Sequence, residues 1–454
     1  MRIYLKEVRE RYPEFEILNY DENLYFEDFN HDSRVEVKNS LFIPIIGEKF
    51  NGHDFIKDAF ENGSVVSLYQ KDMDTPSKEF KKPIIVVEDI QQGLGKILRL
   101  MRGKIDVPVI AITGSTGKTT TREMIAEILS ERGRVLRSDR NFNTLWGNAQ
   151  VLAKYDNHDF IVLEFGMDTK GEIKSQCDSL LPDIGILLNV GYVHALSLGG
   201  IDNVYLEKKQ LAEYLISNKK PVLINIDDPR LSKITNPNDN LITFGKTKEA
   251  NYFIKDISID ESGTYFTFLF NNQEYRVKLK IFGKGYAYNG ISSIALAHQM
   301  GLTIEECIEA LEEFNGFGGR FELSTINKDT IIINDAYNAN PTSMEMALET
   351  YNSIWGKSER RKIVVLGDMK ELGEVTEVKH RELGEYLANM NIDSIYYIGE
   401  YYKYLGIGTN CNSLDDIYEK IKFEIDKYPK AVVLFKASNS LGLESIIKRF
   451  NPPT

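Results

Sequence analysis

Short apolar runs alternate with amphipathic stretches along the chain from about residue 106. The runs are rich in Val, Ile and Leu without interspersed polar residues, a pattern typical of strands buried on both faces of a parallel sheet. Between them, apolar residues recur with the period of an α-helix. The pattern predicts helices over 117–132 and about 202–217, and strands at "VPVIAIT" (107–113), "DFIVLEFG" (159–166), "IGILLNVG" (184–191) and "PVLINID" (221–227).

Farther along the chain the pattern changes twice. "TYFTFLF" (264–270) and "EYRVKLKIF" (274–282), separated by "NNQ", predict an antiparallel hairpin added to the first sheet. After "NGFGGRFE" (315–322) strands and helices alternate again, which predicts a doubly wound, Rossmann-like α/β domain. Its predicted strands are 330–337, 362–369, 394–400 and 431–438, with helices over 342–355, 377–390, 414–427 and beyond the last strand.

The first hundred or so residues predict a small α/β domain, with strands at 40–46 and 83–89 around a helix at 53–63. A chain of 454 residues is too long for one hydrophobic core. We therefore expect three α/β domains. These are a small N-terminal domain (1–105), a central parallel-sheet domain with the antiparallel addition (106–317) and the Rossmann-like domain (318–454).

Composition narrows the choice of partners and compartment. The formal net charge is -12, from 55 Lys+Arg against 67 Asp+Glu, which argues against nucleic acid as the main partner. No segment has the roughly 18 uncharged apolar residues of a membrane span, and the N-terminus lacks the apolar run of a signal peptide. The 3 cysteines are widely separated without metal-ligand spacing, so they predict reduced thiols and a cytoplasmic protein that does not enter the membrane.

The stretch "VIAITGSTGKTTTREM" (109–124) predicts a phosphate-binding loop between a strand and a helix. Its two glycines let backbone N–H groups converge on phosphate oxygens at the start of the helix. The lysine would reach the terminal phosphates, and the hydroxyl after it can bind Mg²⁺. The loop is shorter than the full P-loop consensus, which would need glycine where Ile112 stands. The predicted nucleoside triphosphate ligands are Gly114, Ser115, Thr116, Gly117, Lys118, Thr119 and Thr120.

Three further residues are candidates for this site, and two of them lie where ligands of such a loop would be expected. Glu164 ends a predicted strand and His194 follows another, so both fall on the edge where doubly wound sheets collect their ligands. A carboxylate there is suited to a second Mg²⁺ contact. Lys208 lies in "NVYLEKKQLAEYL" (203–215), and position alone favours a solvated helix face for it and an ordinary polar role for His194.

Taken together, the motifs resemble one family, the Mur ligases. They are G114-S-T-G-K-T-T, E164-F-G-M, N189-V-G-Y-V-H, Lys208, "GGRFE" (318–322), "NDAYNANPTSM" (334–344), "VLGDMKELGE" (365–374) and, near the N-terminus, "DSRVEVKNSLFIPIIGEKFNGHDF" (32–55). The resemblance implies a three-domain, ATP-driven amide ligase of peptidoglycan precursor synthesis. It would join D-Ala-D-Ala to a UDP-linked muramoyl tripeptide through an acyl phosphate and act as a monomer.

The resemblance also implies a role for each matching residue. Lys118, His194 and Lys208 would be catalytic, with Thr119 and Glu164 holding one Mg²⁺, His194 a second, and Lys208 carbamylated into an anionic metal ligand. Asn289 would recognise adenine, Arg320 the γ-phosphate and Asp335 the nucleotide, with Asn338 and Asn340 lining the cleft. The implied substrate-binding residues are Asp32, Ser33, Arg34, Gly52, His53, Asn141 and Asn143.

The sequence departs from the family pattern at several positions, which leaves the ATP chemistry intact and puts the identity of the substrates in doubt. Tyr288 stands where the family has a histidine, Gln210 where it has an acidic residue, and "KASN" (436–439) where it has K-G-S-R; "NFNTLWGNAQ" (141–150) also differs. Alternatives therefore stay open: a related ligase with another amine or acid, a folylpolyglutamate-synthase-like enzyme, a nucleotide-binding protein without turnover, or a plain ATPase or kinase. The third residue of the tripeptide, L-lysine or meso-diaminopimelate, is not readable from the sequence.

Overall fold

The computed structural model describes residues 1–47, 50–73, 80–138, 142–193, 195–235, 240–316, 320–327, 329–370 and 372–450. Packing divides the chain into two compact units. The first contains Met1–Thr113, Leu129–Ile186 and Glu207–Val222; the second contains Gly114–Ile128, Leu187–Leu206 and Leu223–Thr454.

The N-terminal segment folds around a five-stranded sheet of order β2-β7-β6-β5-β4, in which β2 runs antiparallel to β7 and the other neighbours are parallel. Its elements are β1 (Ile3–Tyr4), α1 (Leu5–Arg11), β2 (Glu16–Leu18), β3 (Tyr25–Phe26), β4 (Asp28–Asn30), β5 (Ser40–Phe42), α2 (Ile56–Glu61), β6 (Ser64–Gln70), β7 (Ile84–Val87) and α3 (Ile90–Arg102). The predicted helix at 53–63 begins as a 3-10 turn, Gly52–Phe55. Strand β7 is buried along its whole length, as its unbroken apolar run predicts.

A nine-stranded sheet follows, of order β16-β15-β14-β13-β12-β11-β8-β10-β9. Its strands are β8 (Val109–Thr113), β9 (Val135–Arg137), β10 (Phe160–Glu164), β11 (Ile184–Leu187), β12 (Val222–Asn225), β13 (Leu241–Gly245), β14 (Tyr252–Asp260), β15 (Gly263–Phe270) and β16 (Gln273–Leu279). The helices are α4 (Lys118–Ser130), α5 (Leu145–Ala153), α6 (Glu172–Leu180), α7 (Ala195–Leu198), α8 (Ile201–Ser217), α9 (Lys284–Gln299) and α10 (Ile304–Glu313).

The predicted antiparallel addition is confirmed, because β15 and β16 pair antiparallel from Thr264 opposite Leu279 to Phe270 opposite Gln273. Strand β14, which the sequence pattern did not reveal, extends this addition on the other side of β15. The parallel strands end earlier than predicted. β10 ends at Glu164 and β11 at Leu187, so the residues that follow are loops.

The C-terminal segment has a six-stranded sheet of order β17-β18-β22-β19-β20-β21, parallel except for β17. Its elements are β17 (Glu322–Ile326), β18 (Thr330–Asp335), α11 (Pro341–Trp355), β19 (Arg361–Gly367), α12 (Thr376–Ala388), β20 (Ser394–Ile398), α13 (Tyr402–Leu405), β21 (Thr409–Asn410), α14 (Leu414–Lys427), β22 (Ala431–Lys436) and α15 (Leu443–Phe450).

Helices cover both faces of this sheet. Leu348 of α11 and Leu383 of α12 belong to one apolar core, and Ile421 of α14 and Ile446 of α15 belong to the other. Neighbouring residues of β18 divide between the two cores, with Ile333 in the first and Ile332 in the second. The predicted doubly wound arrangement is therefore confirmed, with β17 as an additional antiparallel edge strand.

Candidate functional site

The backbone of the loop after β8 is hydrogen-bonded to Asn189, the second residue after β11. The Ser115 N–H donates to Asn189 O at 3.1 Å. The Thr116 N–H donates to Asn189 Oδ1 at 2.9 Å, and Asn189 Nδ2 donates to Thr116 O at 3.1 Å. Ser115 Oγ also accepts the Gly191 N–H at 2.7 Å. These bonds fix the loop backbone before any ligand arrives, which favours binding because less order has to be imposed.

Gly117 must be glycine at this position for two reasons. Its φ is +85°, and a Cβ there would stand 2.6 Å from Asn289 Oδ1. Asn289 is buried in α9, so this helix presents the amide directly to the loop. Lys118 Nζ donates to Gly114 O at 2.7 Å and thus lies over the loop that it follows.

Two polar residues, one ending β12 and one in the turn after it, hold the loop after β11. Asn225 Nδ2 donates to Leu188 O at 3.0 Å, and Asp228 Oδ2 accepts the Val190 N–H at 2.7 Å. His194 lies outside the described residues, so its assignment stays a prediction. Sequence reasoning missed the positioning roles of Asn189, Asn225 and Asp228; their only signal was a polar residue at or just beyond the end of an apolar run.

Glu164, in the first unit, ends β10 with a side chain shielded from solvent. It stands in register with Ile112 of β8, so it lies at the sheet edge where β8 leads into the loop. Asn148 Nδ2 donates to Glu164 O at 3.0 Å and to Gln176 Oε1 at 2.9 Å. Gln176 Nε2 in turn donates to Gly166 O at 2.7 Å. This buried amide pair, which the sequence did not reveal, fixes the turn that carries Glu164.

Asn143 lies beside the same turn. Its carbonyl accepts the Gly166 N–H at 2.7 Å, and a Cβ on Gly166 would stand 2.6 Å from Asn143 Cγ. The structure thus places this predicted substrate residue next to the strand end of Glu164, both within the first unit. Asn141 lies outside the described residues.

Lys208 is only 3% exposed in α8, which contradicts the solvated face that its sequence position alone suggests. Its neighbour Lys209 pairs with Glu213 at 2.8 Å and keeps 32% of its side chain exposed. Glu207, also buried, accepts the N–H groups of Gly171 and Ile173, both at 2.9 Å. Of the two neighbouring lysines, Lys208 is therefore the buried one and Lys209 the exposed one.

Of the predicted substrate residues near the N-terminus, Asp32 and Arg34 form a two-point ion pair. Arg34 donates from Nε to Asp32 Oδ1 at 2.8 Å and from its terminal nitrogen to Oδ2 at 2.7 Å. The Arg34 side chain lowers the pKa of Asp32 to about 2. The arginine is 86% exposed, so its outer face remains accessible to an anionic ligand.

Gly52 and His53 shape the neighbouring turn. A Cβ on Gly52 would stand 2.6 Å from Ile45 N, so the close backbone approach requires glycine. His53 Nε2 accepts the Gln70 N–H at 3.1 Å, which leaves Nδ1 as the donor to Asn51 Oδ1 at 2.7 Å. Burial lowers the pKa of His53, in keeping with this neutral ring. Both ring nitrogens are engaged, so the ring supports the turn.

Ser33 is buried beside the Asp32–Arg34 pair, and its carbonyl accepts from Asn62 Nδ2 at 2.7 Å.

Arg320 and Asp335 come close together in the second unit. The Arg320 guanidinium lies 4.7 Å from the centre of the Tyr337 ring, and its buried Nε has no hydrogen-bond partner within the described part of the chain. Asp335 pairs with the buried Lys436 at 3.1 Å, and Lys436 also donates to Asn338 O at 2.5 Å. Burial raises the pKa of Asp335, and Lys436 opposes that shift.

Asn340 caps α11, accepting the Ser343 N–H on Oδ1 at 2.9 Å. Its Nδ2 is buried and has no partner among the residues that the structure describes. Thr342 Oγ1, in the first turn of α11, lies 3.3 Å from where a Cβ on Gly191 would stand. The start of α11 therefore lies beside the loop after β11. Unpaired buried donors near a helix N-terminus suit an anionic ligand.

Three family models match along the chain: "Mur ligase family, catalytic domain" at residues 30–102, "Mur ligase middle domain" at 112–297 and "Mur ligase, glutamate ligase domain" at 319–439. A Bacillus subtilis protein, UDP-N-acetylmuramoyl-tripeptide–D-alanyl-D-alanine ligase, is 32% identical over 92% of this chain and 91% of its own length. This chain belongs to the Mur ligase family. The Escherichia coli protein of the same name is 25% identical over 92% of each chain.

Solved Mur ligase structures share the fold. A MurF from Acinetobacter baumannii superposes with a TM-score of 0.88, covering 99% of each chain at 23% identity. MurF ligase from Thermotoga maritima, solved in complex with ADP, gives 0.81 at 27% identity, covering 93% of this chain and 96% of that one. As a Mur ligase, the protein is a three-domain α/β enzyme that uses ATP to form a carbon–nitrogen bond.

The residues of this Mur ligase fit a nucleotide with magnesium. Gly117 lets the Asn289 amide approach the loop, because a Cβ there would stand 2.6 Å from Asn289 Oδ1, and the loop leads into the N-terminus of α4. Thr119 in the second unit and Glu164 in the first each carry side-chain oxygen, the ligand type that Mg²⁺ prefers. Among the described residues no group of three or more His, Cys, Asp or Glu is arranged as a metal site. None of the helices in the described part of the chain has the length and apolar character to cross a membrane.

Proposed function

We propose that this Mur ligase joins D-alanyl-D-alanine to a UDP-N-acetylmuramoyl-tripeptide in peptidoglycan precursor synthesis. One observation carries the proposal: the Bacillus subtilis relative that bears this activity in its name matches 92% of the chain at 32% identity. The unbroken motifs of the phosphate loop and of "DAYNANP" (335–341) support it.

The chemistry needs an activated carboxyl group, because a carboxylate has no good leaving group. In the proposed reaction a carboxylate oxygen of the tripeptide bonds to the γ-phosphorus of ATP while the bond to the ADP oxygen breaks. The amine of D-Ala-D-Ala then attacks the acyl carbon, loses a proton, and phosphate leaves. Transfer between two anions requires that their charge be neutralised.

Lys118 is the first of the residues proposed for that task. Its ammonium group lies over the loop, which supports the proposal that it would meet the β- and γ-phosphates. Arg320, whose buried Nε has no hydrogen-bond partner among the described residues, would contact the γ-phosphate from the C-terminal domain. Asn289 would bind adenine. Asp335, held by Lys436, and the segment of Asn338 and Asn340 would complete the nucleotide cleft.

Magnesium would be held by Thr119 and Glu164, with a second ion held by His194 and carbamylated Lys208. Bound Mg²⁺ would neutralise phosphate charge. The burial of Lys208 in α8 is compatible with this proposal, in which carbamylation would replace the ammonium group by an oxygen ligand for the ion.

The N-terminal segment would hold the UDP end of the substrate. Arg34 offers an exposed guanidinium for phosphate, with Asp32, Ser33 and Gly52 shaping the turns around it, while His53 supports the fold of that site. Asn141 and Asn143 would face the peptide end. The domain boundaries near 105 and 317, the monomeric state and the cytoplasmic location belong to the same proposal.

The direct test is ADP release by purified protein with ATP and Mg²⁺, adding the UDP-muramoyl tripeptide and D-Ala-D-Ala separately and together. We expect turnover only with both, and a product heavier by one dipeptide less one water by mass spectrometry. Absence of turnover in a protein that still binds ADP would contradict the proposed substrates and favour a different amine or acid.

Two substitutions test the proposed residues. Lys118→Ala should abolish ADP release without changing the affinity for the UDP substrate, whereas Lys422→Ala, at an exposed lysine of α14, should match wild type.

Lys208→Ala should lose most activity and regain part of it with added small carboxylates, and Lys209→Ala serves as its control on the same helix. Full activity of Lys208→Ala without added carboxylate would exclude the metal-ligand role.

A further inference from the structure

We propose that Tyr288 and Asp227 form a positioning pair that orients Asn289, and with it α9, for recognition of the nucleobase. The proposal rests on the assignment of adenine recognition to Asn289. It assigns a role to the tyrosine that replaces the family histidine, which the proposed function leaves unexplained.

Asp227 is the anchor of this pair. Its Oδ2 accepts from the Lys246 N–H at 2.6 Å and from the Tyr288 hydroxyl at 2.7 Å. Its Oδ1 accepts from the Thr247 N–H at 2.8 Å and from Thr247 Oγ1 at 2.6 Å. Gly245, with φ of +147°, gives the carboxylate room, because a Cβ there would stand 2.8 Å from Asp227 Cγ. A carboxylate bound by so many donors is a rigid point of attachment.

Tyr288 carries that rigidity to α9. Successive residues of an α-helix point about 100° apart, so Tyr288 and Asn289 face adjacent sides of the same turn. Tyr288 is bonded to Asp227 on one side, while Asn289 meets Gly117 on the other. A rotation of α9 that moved the Asn289 amide away from the phosphate loop would have to break the bond to Asp227.

A second contact fixes the same helix one turn later, but on the phosphate side. Ser293 Oγ lies 3.5 Å from Thr121 O of α4 and 2.8 Å from Asn289 O. Ser293 therefore links α9 to α4, whereas the hydroxyl of Tyr288 links α9 to Asp227 in the turn after β12. Loss of that hydroxyl should affect base recognition more than phosphate binding.

The test is calorimetric titration of ADP with Mg²⁺ into wild type and Tyr288→Phe. Hydrogen bonds to a charged group are worth enough that we expect ADP affinity to fall about five- to tenfold. The preference for ADP over GDP should narrow, because it depends on the orientation of the Asn289 amide. In turnover assays the KM for ATP should rise by a similar factor, while kcat stays within about twofold.

Tyr397→Phe is the matched control, since the Tyr397 hydroxyl also donates to a carboxylate, Asp368, at 2.7 Å. It should bind ADP and GDP as wild type does. Unchanged base preference in Tyr288→Phe, or an equal loss of ADP affinity in both variants, would overturn the proposal. ADP binding needs no peptide substrate, so a wild type that binds ADP but lacks ligase turnover would contradict only the proposed function.

Discussion

Asp227, after β12 of the central sheet, and Asp368, after β19 of the C-terminal sheet, share three kinds of neighbour, and Asp227 accepts the Thr247 hydroxyl in addition. Each follows a strand and accepts backbone N–H groups from the loop after the neighbouring strand. Asp368 accepts from the N–H groups of Glu400 at 2.9 Å and Tyr401 at 3.1 Å. Each also accepts a tyrosine hydroxyl at 2.7 Å, and each has a glycine of positive φ beside it.

The two clusters differ in where the tyrosine comes from. Tyr397 belongs to β20, the strand that also leads into the loop bonded to Asp368. Tyr288 belongs to α9, and 61 residues separate it from Asp227. The first bond therefore closes a single strand–helix–strand unit, while the second ties a turn to the helix that carries Asn289. The same chemistry supports the local fold in one place and orients a ligand-binding side chain in the other.

Removing each carboxylate should produce the largest contrast. Asp368 is 4% exposed, and Asp368→Ala leaves buried N–H groups and a hydroxyl without a partner, so we expect a loss of about 3 kcal/mol in the free energy of unfolding. Asp227 is less buried, and Asp227→Ala should cost about 1–2 kcal/mol. ADP affinity should change in the opposite order, falling only in Asp227→Ala. Urea denaturation and ADP titration measure both quantities.

The comparison fails if Asp368→Ala weakens ADP binding as much as Asp227→Ala does. That result would mean that both clusters affect ADP binding only by stabilising the fold. Asp426→Ala, at an exposed carboxylate of α14 that pairs with Lys422, controls for the loss of a surface charge and should leave both measurements unchanged.

Much of this organisation was predictable from local sequence. The apolar runs predicted β8, β10, β11 and β12. A strand that is buried on both faces has no solvent-facing positions for polar residues, so its sequence is a nearly continuous apolar run. The phosphate loop was predictable because its glycines, lysine and threonine stand at the spacing that phosphate binding requires. The doubly wound C-terminal sheet followed from the regular alternation of strands and helices.

The residues that position the site were not predictable in the same way. Asn148 and Gln176 are an amide pair 28 residues apart, and their sequence neighbours give no sign that they meet. Lys208 was predicted to be a surface lysine because it lies in the charged run "EKK". Its burial depends on which residues pack over the helix, and the local sequence does not contain that information. β14 and β17 were missed since edge and antiparallel strands mix polar and apolar residues.

Alanine at the two glycines should give an intermediate effect. A Cβ on Gly399 would stand 2.1 Å from Asp368 Oδ1, and a Cβ on Gly245 would stand 2.8 Å from Asp227 Cγ. Both residues also have positive φ, which alanine adopts at a cost of about 1–3 kcal/mol. Gly399→Ala should therefore be the less stable in urea denaturation, and Gly245→Ala should be the one that weakens ADP binding. Equal ADP affinities in the two variants would argue against the separation of roles.

The smallest effect should appear on acidification. Burial raises the pKa of Asp227, but hydrogen bonds from Lys246, Thr247 and Tyr288 outweigh it and lower the pKa below its ordinary value. A carboxyl group whose pKa is lower in the folded protein stabilises it fully above the unfolded pKa of about 3.9. That stabilisation is lost as the pH falls through the folded value.

The difference in melting temperature between wild type and Asp227→Asn should therefore be constant from about pH 7 to 5 and shrink below about pH 4. Partial exposure of the group limits the change to about 1 °C. In Tyr288→Phe one lowering hydrogen bond is gone, so the folded-state pKa of Asp227 moves toward the unfolded value, and the stabilisation lost on acidification should be smaller and complete at a higher pH. An acid profile that is identical in wild type and Tyr288→Phe would show that the hydroxyl does not bond the ionised carboxylate, and the positioning pair would lose its physical basis.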